Sequence, residues 1–245
     1  MENSNILITG ASSGIGEELV NRYIGRGNRL YLVARSCDKL KKIHSIESKN
    51  IDIFCRDLSD LKESEKLSQE LSNISFDLII LNAGISLGHN SKSFTSVNDF
   101  NRLFNVNFLS IHSLLQHIVP NLKKGSKIVS ISSLASIITM PSSIAYSSSK
   151  RAMNSYIEGL RYFLQPKGVE VINILPGFIE TPLTDKNQFN MPFLMSLKDG
   201  VDRVEKAING KKRDVYFPKR FYYLIRFIKA LPHPIRDRVI GKFRK

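Results

Sequence analysis

Six short apolar runs recur along the chain, at 5–9, 29–34, 51–56, 77–81, 126–132 and 169–175. Longer amphipathic segments separate them, at 14–26, 37–48, 59–73 and 97–122, with another at 146–165. The runs are rich in Ile, Val and Leu and show little alternation with polar residues. Strands of that kind are buried on both faces, and strands that alternate with helices pair in parallel. The expected fold is a doubly wound α/β parallel sheet with helices on both sides. Ligands of such sheets bind at the carboxyl ends of the strands, so the residues that follow the strands carry the functional information.

The first run leads into Thr9-Gly10-Ala11-Ser12-Ser13-Gly14-Ile15-Gly16, and Ile15, Leu19, Val20 and Tyr23 then fall on one side of a helix. A glycine-rich turn between strand and helix lets backbone approach a pyrophosphate and aims free helical N–H groups at negative charge. Gly10, Gly14 and Gly16 would be the turn residues, although glycine-rich turns also serve loops that bind nothing. A second signature, Tyr146-Ser147-Ser148-Ser149-Lys150, lies past the middle. If Tyr146 opens a helix, Lys150 lies one turn on and on the same face, where an ammonium sits near the phenol. Tyr and Lys at that spacing also occur on many ordinary helices.

The two signatures in this order, with further elements between and after them, resemble the short-chain dehydrogenase/reductase family over about residues 5–181. Asn82-Ala83-Gly84 follows the run Leu78–Leu81 as in the family's Asn-Asn-Ala-Gly element, with Leu81 in place of its first Asn. Asn107, in Asn105-Val106-Asn107-Phe108, matches the family's helix asparagine. Ser133 precedes Tyr146 by thirteen residues, the spacing of the family's catalytic serine. Pro176-Gly177-Phe178-Ile179-Glu180-Thr181 matches the segment that embraces the nicotinamide.

The resemblance implies a Rossmann-like fold, an enzyme acting on CH–OH groups, and a role for each matching residue. Tyr146 is the expected proton donor in reduction and the base in oxidation, and Ser133 hydrogen-bonds the substrate oxygen. Lys150 holds the nicotinamide ribose and lowers the Tyr146 pKa, and Asn107 anchors the water that carries the proton to solvent. Free tyrosine titrates near pH ~10, so activity near neutrality needs its anion stabilised by about 4 kcal/mol, from Lys150 and a cationic nicotinamide. Cofactor contacts are expected from Gly10, Ser12, Ser13, Gly14, Ile15, Gly16, Asp57, Leu58, Asn82, Ala83 and Gly84, with Asp57 on the adenine amino group. Tyr146, Lys150, Pro176, Gly177, Ile179 and Thr181 complete that set. No metal is expected.

Charge bears on the choice of cofactor. About twenty residues beyond the glycines, where an acid would bind a ribose 2′-hydroxyl, the chain has Ala34 followed by Arg35. A guanidinium suits a 2′-phosphate, and no carboxylate is there to repel it, so NADP(H) is expected over NAD(H). A solvated Arg35 at the start of a helix reads the same way.

At 245 residues the chain can bury a full core. The expected division is 1–218 for the dehydrogenase/reductase domain and 219–245 for a basic helical segment. The first strand begins within five residues, which leaves no room for a secretory leader, and no apolar stretch is long enough to cross a bilayer. Cys37 and Cys55 have no metal-ligand spacing and are expected as reduced thiols of a cytoplasmic protein, although their positions could bring them together. Nine serines fall between 130 and 149, interleaved with Ile131, Leu134, Ile137, Ile138, Met140 and Ile144, which argues an ordered active-site wall. Residues 191–195 fit an apolar lid or a core-facing segment equally.

The formal net charge is +14, and most of the excess lies at the end: from Lys211 on there are twelve Lys/Arg against two Asp/Glu. Over 219–231, helical spacing puts Phe221, Leu224, Ile225, Ile228 and Leu231 on one face, with Lys219, Arg226 and Lys229 opposite. A second short helix over 235–243 is expected after Pro232 and Pro234. The first helix is too short to span a bilayer. Peripheral contact at the inner membrane surface, packing on the protein's own sheet and packing on a second subunit all fit it. The usual Gly-rich family ending is missing, which favours a homodimer through 97–122 and 146–165 over a tetramer.

Three functional classes follow. The leading one is an NADP(H)-dependent oxidoreductase interconverting a carbonyl and an alcohol on a small, apolar substrate. The alternative is a catalytically silent, cofactor-bound interaction protein on the same fold, which the intact Ser, Tyr and Lys argue against. Nucleic-acid binding through the tail lacks any reading motif, so no specific nucleic acid is expected.

Overall fold

The structure, a computed structural model, describes residues 2–44, 50–87, 94–187 and 189–242, the side chains at 37, 43 and 44 excepted. Seven strands form one sheet: β1 Asn5–Thr9, β2 Arg29–Ala34, β3 Ile51–Cys55, β4 Leu78–Leu81, β5 Lys127–Ile131, β6 Glu170–Pro176 and β7 Asp214–Phe217. Their order is β3-β2-β1-β4-β5-β6-β7, and every pairing is parallel. The chain builds outward from β1 to β3, then returns to lay β4 on the other side of β1. The sheet therefore reverses direction between β1 and β4, and their carboxyl ends flank a crevice.

Strand periodicity divides the core between the two faces. Ile6, Ile8, Leu30, Leu32, Leu78, Ile80, Ile172 and Ile174 point to one face, where they meet Leu19, Val20, Tyr23, Val201, Val204 and Ile208. The alternate residues Leu7, Tyr31, Val33, Ile79, Leu81, Ile128 and Val171 point to the other, against Leu67, Leu71, Leu114, Leu115, Ile118, Met153 and Ile157. Both faces of the central strands are buried, which is why they read as continuous apolar runs.

The helices are α1 Gly14–Tyr23, α2 Cys37–His44, α3 Leu61–Glu70, α4 Val97–Phe104, α5 Ser110–Ile118, α6 Ile144–Leu164, α7 Leu197–Ile208, α8 Lys219–Ala230 and α9 His233–Gly241. Three departures from expectation matter for the site. The segment expected as one helix over 97–122 is interrupted at Asn105–Leu109 by a π-helical turn that separates α4 from α5. Helix α7 has no counterpart in the sequence reading. It begins at Ser196, whose Oγ accepts from the Asp199 N–H, and buries Val201, Val204, Ala207 and Ile208. Cys55 is disulfide-bonded. The expectation of a reduced thiol is corrected there. The end of the 37–48 helix and Phe243 lie outside the described residues.

The tail is not a separate appendage. Helix α8 packs Phe221, Tyr222, Ile225 and Ile228 against Leu134, Ile138, Leu175 and Tyr216, a third apolar cluster over the ends of β5, β6 and β7. Leu224 was expected on that face but is 44% exposed, and Tyr222 takes its place. Tyr223, Leu224 and Phe227 form an outward apolar stripe. Among the described residues no helix is long and apolar enough to cross a membrane.

This packing separates two neighbouring tail residues. Ile225 is 5% exposed and Phe227 66%, so Ile225→Ala is expected to cost about 2–4 kcal/mol and Phe227→Ala less than about 0.5 kcal/mol. Urea denaturation of the two variants measures both. Equal losses would mean that the tail is not seated as described.

Candidate active site

The site is assembled at the β1–β4 crevice. Gly10 and Gly14 adopt φ +67° and +54°, a region costly for other residues, which lets the chain turn back from β1 into α1. No side chain caps α1 at Ser13, so its first N–H groups face the crevice without a side-chain acceptor. A Cβ on Gly16 would lie 2.1 Å from the Gly10 carbonyl oxygen, so only glycine lets the helix approach the turn this closely. Ser12, Ser13 and Ile15 are all partly exposed, and Ile15 leans on the core.

The turn is held from β4. Asn82 Nδ2 donates to the carbonyl oxygens of Thr9 (3.1 Å) and Gly10 (3.2 Å). Thr9 Oγ1 accepts from the N–H groups of Asn82 (3.0 Å) and Ala83 (3.1 Å) and donates to Ile80 O. Thr9 thus ties the ends of β1 and β4 together, a role the sequence reading did not give it. Its place at the end of the first strand was the available signal.

At the neighbouring strand ends, Arg35 is exposed and Leu58 is buried in the core. Burial raises the Asp57 pKa. Hydrogen bonds to Oδ1 from Ser59 N–H (2.9 Å) and Ser59 Oγ (2.8 Å), with the charges of Arg35 and Arg102, outweigh it and hold the carboxyl below its ordinary range. Arg102, from α4, is a second cation facing this end of the crevice. Sequence alone did not single it out, because nothing local links α4 to β3.

The π-helical turn places Asn107 fully inside the protein. Its Oδ1 accepts from Ile85 N–H (2.8 Å), and its Nδ2 donates to Ile85 O (3.0 Å) and Ser149 Oγ (3.1 Å). The amide therefore joins the chain after β4 to α6. A π-turn inserted into an α-helix redirects the side chains it carries, and such insertions concentrate at functional sites.

Tyr146 and Lys150 lie one turn apart near the start of α6, with Lys150 Nζ 6.0 Å from the centre of the Tyr146 ring. Lys150 is 5% exposed and donates to Ile131 O at 3.0 Å. Burial pushes it down to about 8. Burial pushes the Tyr146 phenol up, opposed by its side-chain hydrogen bond with Ser133. The protein surroundings alone therefore do not lower Tyr146 in the way its expected role needs. Ser133 follows β5, and its Oγ accepts from Ala135 N–H (3.1 Å) at the start of a short 3₁₀ turn. A Cβ on Gly84 would lie 3.4 Å from Lys150 Nζ and 3.5 Å from Asn107 Oδ1, so Gly84 borders the same space.

From the far side, the segment after β6 folds over the glycine turn. Pro176 and Ile179 are buried, and the Thr181 methyl lies 3.1 Å from where a Gly14 side chain would start. Beyond Gly177 stands an aromatic wall that the sequence reading did not assemble. Phe178 meets Phe189 and Phe221 at ring-centre distances of 5.7 Å, and Phe193 meets Phe221 at 5.8 Å. Phe221 comes from the tail. Within 191–195, Met195 packs on the core, and Phe193 and Leu194 are exposed. Every sequence-predicted site residue thus lies at the carboxyl ends of β1 to β6 or on the elements that follow them. Among the described residues no group of three His, Cys, Asp or Glu could hold a metal.

Comparison with known proteins agrees with this architecture. A solved short chain dehydrogenase from Burkholderia cenocepacia, in complex with NADP, superposes with a TM-score of 0.81 over 97% of this chain and 98% of its own, at 23% identity. An uncharacterized oxidoreductase of Myxococcus xanthus is 30% identical over 97% of this chain and 96% of its own length. An 11-beta-hydroxysteroid dehydrogenase-like 2 protein of Arabidopsis thaliana is 34% identical over 83% of this chain and 68% of its own. The short chain dehydrogenase family profile matches residues 4–191. With that match spanning most of the chain and the fold agreeing from end to end, the protein belongs to the short-chain dehydrogenase/reductase family.

Proposed function

We propose that this chain is an NADP(H)-dependent oxidoreductase that interconverts a carbonyl and an alcohol on a small apolar substrate, with NAD(H) used less well. The observation that carries the reading is the convergence of Ser133, Tyr146 and Lys150 with the glycine turn and Thr181 on one crevice. The residues present fit a dinucleotide: the turn is narrow, α1 opens without a side-chain cap, and Gly84 leaves a cradle that a Cβ would narrow beside Lys150. Bound there, the nicotinamide supplies or accepts hydride.

Gly10, Ser12, Ser13, Gly14, Ile15 and Gly16 would hold the pyrophosphate, Arg35 the 2′-phosphate, and Asp57 and Leu58 the adenine. Asn82, Ala83 and Gly84, with Pro176, Gly177, Ile179 and Thr181, would line the rest of the cofactor site. Ser133 donates to the substrate oxygen, and Tyr146 delivers the proton that neutralises the alkoxide, or removes it in the reverse direction. Lys150 brings a positive charge beside the phenol, and that charge favours the phenolate. Its pKa of about 8 leaves it mostly protonated at neutrality. Asn107 keeps Ile85 and Ser149 in place around it. The aromatic wall of Phe178, Phe189, Phe193 and Phe221 supports an apolar substrate.

Two assembly readings accompany this one. Exposed Val97, Leu109, Tyr162 and Phe163 favour a homodimer through the segments 97–122 and 146–165. The stripe of Tyr223, Leu224 and Phe227 among the exposed cations Arg220, Arg226 and Lys229 favours peripheral contact with an anionic surface.

Tyr146→Phe removes the proton donor and little volume, so turnover is expected to fall by about 10²-fold or more with cofactor binding nearly unchanged. A carbonyl and alcohol screen that follows NADPH and NADH identifies the substrate, and near-normal turnover of the variant would end the assignment. In the same assay NADPH is expected to give the higher kcat/KM, and Arg35→Ala to narrow the gap by about tenfold. Equal use of both cofactors by the unaltered protein would count against the assignment of Arg35.

The buried lysine predicts a pH dependence. Lys150 titrates near 8 in the folded chain against an ordinary 10.5, so the unfolded chain binds more protons between those values. The penalty for burying the charge is complete below pH 8 and disappears as pH rises toward 10.5. In cofactor-free protein, stability relative to Lys150→Met should rise by up to about 3 kcal/mol across that window. Parallel denaturant curves at pH 7.5 and 10.5 measure it, and a constant difference would show that Lys150 is not desolvated.

A further inference from the structure

We propose that the cavity between α8 and the active-site wall is a binding site for a phosphate-class oxyanion, held by Arg151, Arg226 and Lys229. The cavity, of about 560 Å³, lies behind the Ser133 turn and is lined by residues of α6, α8, β6, β7 and the wall itself. Three of its lining residues are cations, and none is acidic. The acid of the neighbouring strand, Asp214, is already engaged by Arg161, at 3.1 and 2.9 Å. Like charges gathered at one cavity repel, and an anion is what removes that cost.

Two of the three cations are held by contacts within the protein. Arg151 donates from Nε to Ser136 O (2.9 Å) and from Nη2 to Ile137 O (3.1 Å), which fixes the guanidinium plane and leaves Nη1 for a ligand. Arg226 lies over the Tyr222 ring at 5.9 Å and donates to the Tyr222 hydroxyl at 3.3 Å, and Tyr222 in turn stacks on Tyr216 at 4.2 Å. Lys229 follows Arg226 by three residues on α8, the spacing of neighbours on a helix surface. Two guanidiniums and an ammonium around Ser136 and Asn154 match an oxyanion that takes several charge-assisted hydrogen bonds at once.

Occupancy bears on the catalytic wall. Ser136 Oγ donates to Ser133 O at 2.6 Å, and Asn154 Nδ2 donates to Ser136 Oγ at 2.6 Å. A ligand on Arg151 is therefore joined through Ser136 to the residue proposed to hold the substrate oxygen. The ligand is either a free phosphoryl group or the headgroup of an anionic lipid, which the outward stripe of α8 would bring to the same place.

The test titrates inorganic phosphate and pyrophosphate into protein saturated with NADP⁺, so that the cofactor site is filled, and follows thermal stability and binding heat. A parallel arm measures co-sedimentation with phosphatidylcholine vesicles with and without phosphatidylglycerol. Saturable binding is expected, weakened about tenfold by Arg226→Gln and again by Lys229→Gln, with Arg226→Lys keeping most of it. A response to free phosphate that the variants lose identifies a phosphoryl ligand. A response only to anionic vesicles, lost in the same variants, identifies a headgroup. The proposal is overturned if no probe gives a saturable response, or if the folded double variant responds like the unaltered protein. The site does not depend on the oxidoreductase reading. Should NADP⁺ fail to bind, that reading falls alone, and the titration is repeated on Arg35→Ala.

Discussion

Everything functional in this chain depends on how the ends of β1 and β4 are joined. A parallel sheet buried on both faces has no side chains to spare for chemistry within its strands, so the site must form where the strands stop. At the switch point the two strand ends are adjacent yet lead into different segments, and their main-chain groups need partners. Thr9 and Asn82 provide them with side-chain hydrogen bonds. This fixes the mouth of the crevice before any ligand arrives. It also explains why a residue with a threonine's hydroxyl precedes the glycines: the hydroxyl both accepts and donates, which an apolar strand residue cannot.

The same crevice carries the least favourable group of the core. Lys150 is almost fully buried, its hydrogen bond in the structure is to a main-chain carbonyl, and its pKa falls to about 8 in consequence. A protein built for stability alone would place an apolar residue there. The lysine and the tyrosine are pulled in opposite directions by the same desolvation, each toward its neutral form. A neutral tyrosine near a lysine whose pKa lies within about one unit of neutrality is a site whose proton balance a bound ligand can tip. The site is thus set up by burial, and its acid–base behaviour waits on what binds.

The sequence displayed the fold because the alternation of apolar runs and amphipathic segments is a local property, and six of the seven strands lie where those runs lie. Most of the site residues were legible for a related reason, since they follow a strand within a few positions; Asn107, Tyr146 and Lys150 lie further on, on helical segments, and were legible only through their spacing in the family pattern. What escaped was non-local or masked by composition. Helix α7 carries Val201, Val204, Ala207 and Ile208 at helical spacing, but its polar first turn and the preceding irregular segment hid its start. The π-turn at Asn105–Leu109 differs from an α-helix by one inserted residue, which no hydrophobic period resolves. Arg102 and the phenylalanine wall were out of reach because their partners are far along the chain. Cys37 and Cys55 were readable only as positions, and the bonded state of Cys55 rests on tertiary geometry.

The tail shows where periodicity stops short of an answer. A helix of twelve residues with apolar side chains at 221, 222, 223, 224, 225, 227 and 228 has an apolar arc wider than one packing face can use. The sequence gives its direction but cannot say which part of the arc meets the protein. The structure divides it: Phe221, Tyr222, Ile225 and Ile228 reach the wall, and Tyr223, Leu224 and Phe227 face outward. An aromatic on the inner side, Phe221, joins the phenylalanine cluster beside Gly177, so the helix that displays the outer stripe also walls the site. Arg226 and Lys229 are exposed on the same helix, so its cations, its outer stripe and its packed face belong to one element seated on the protein.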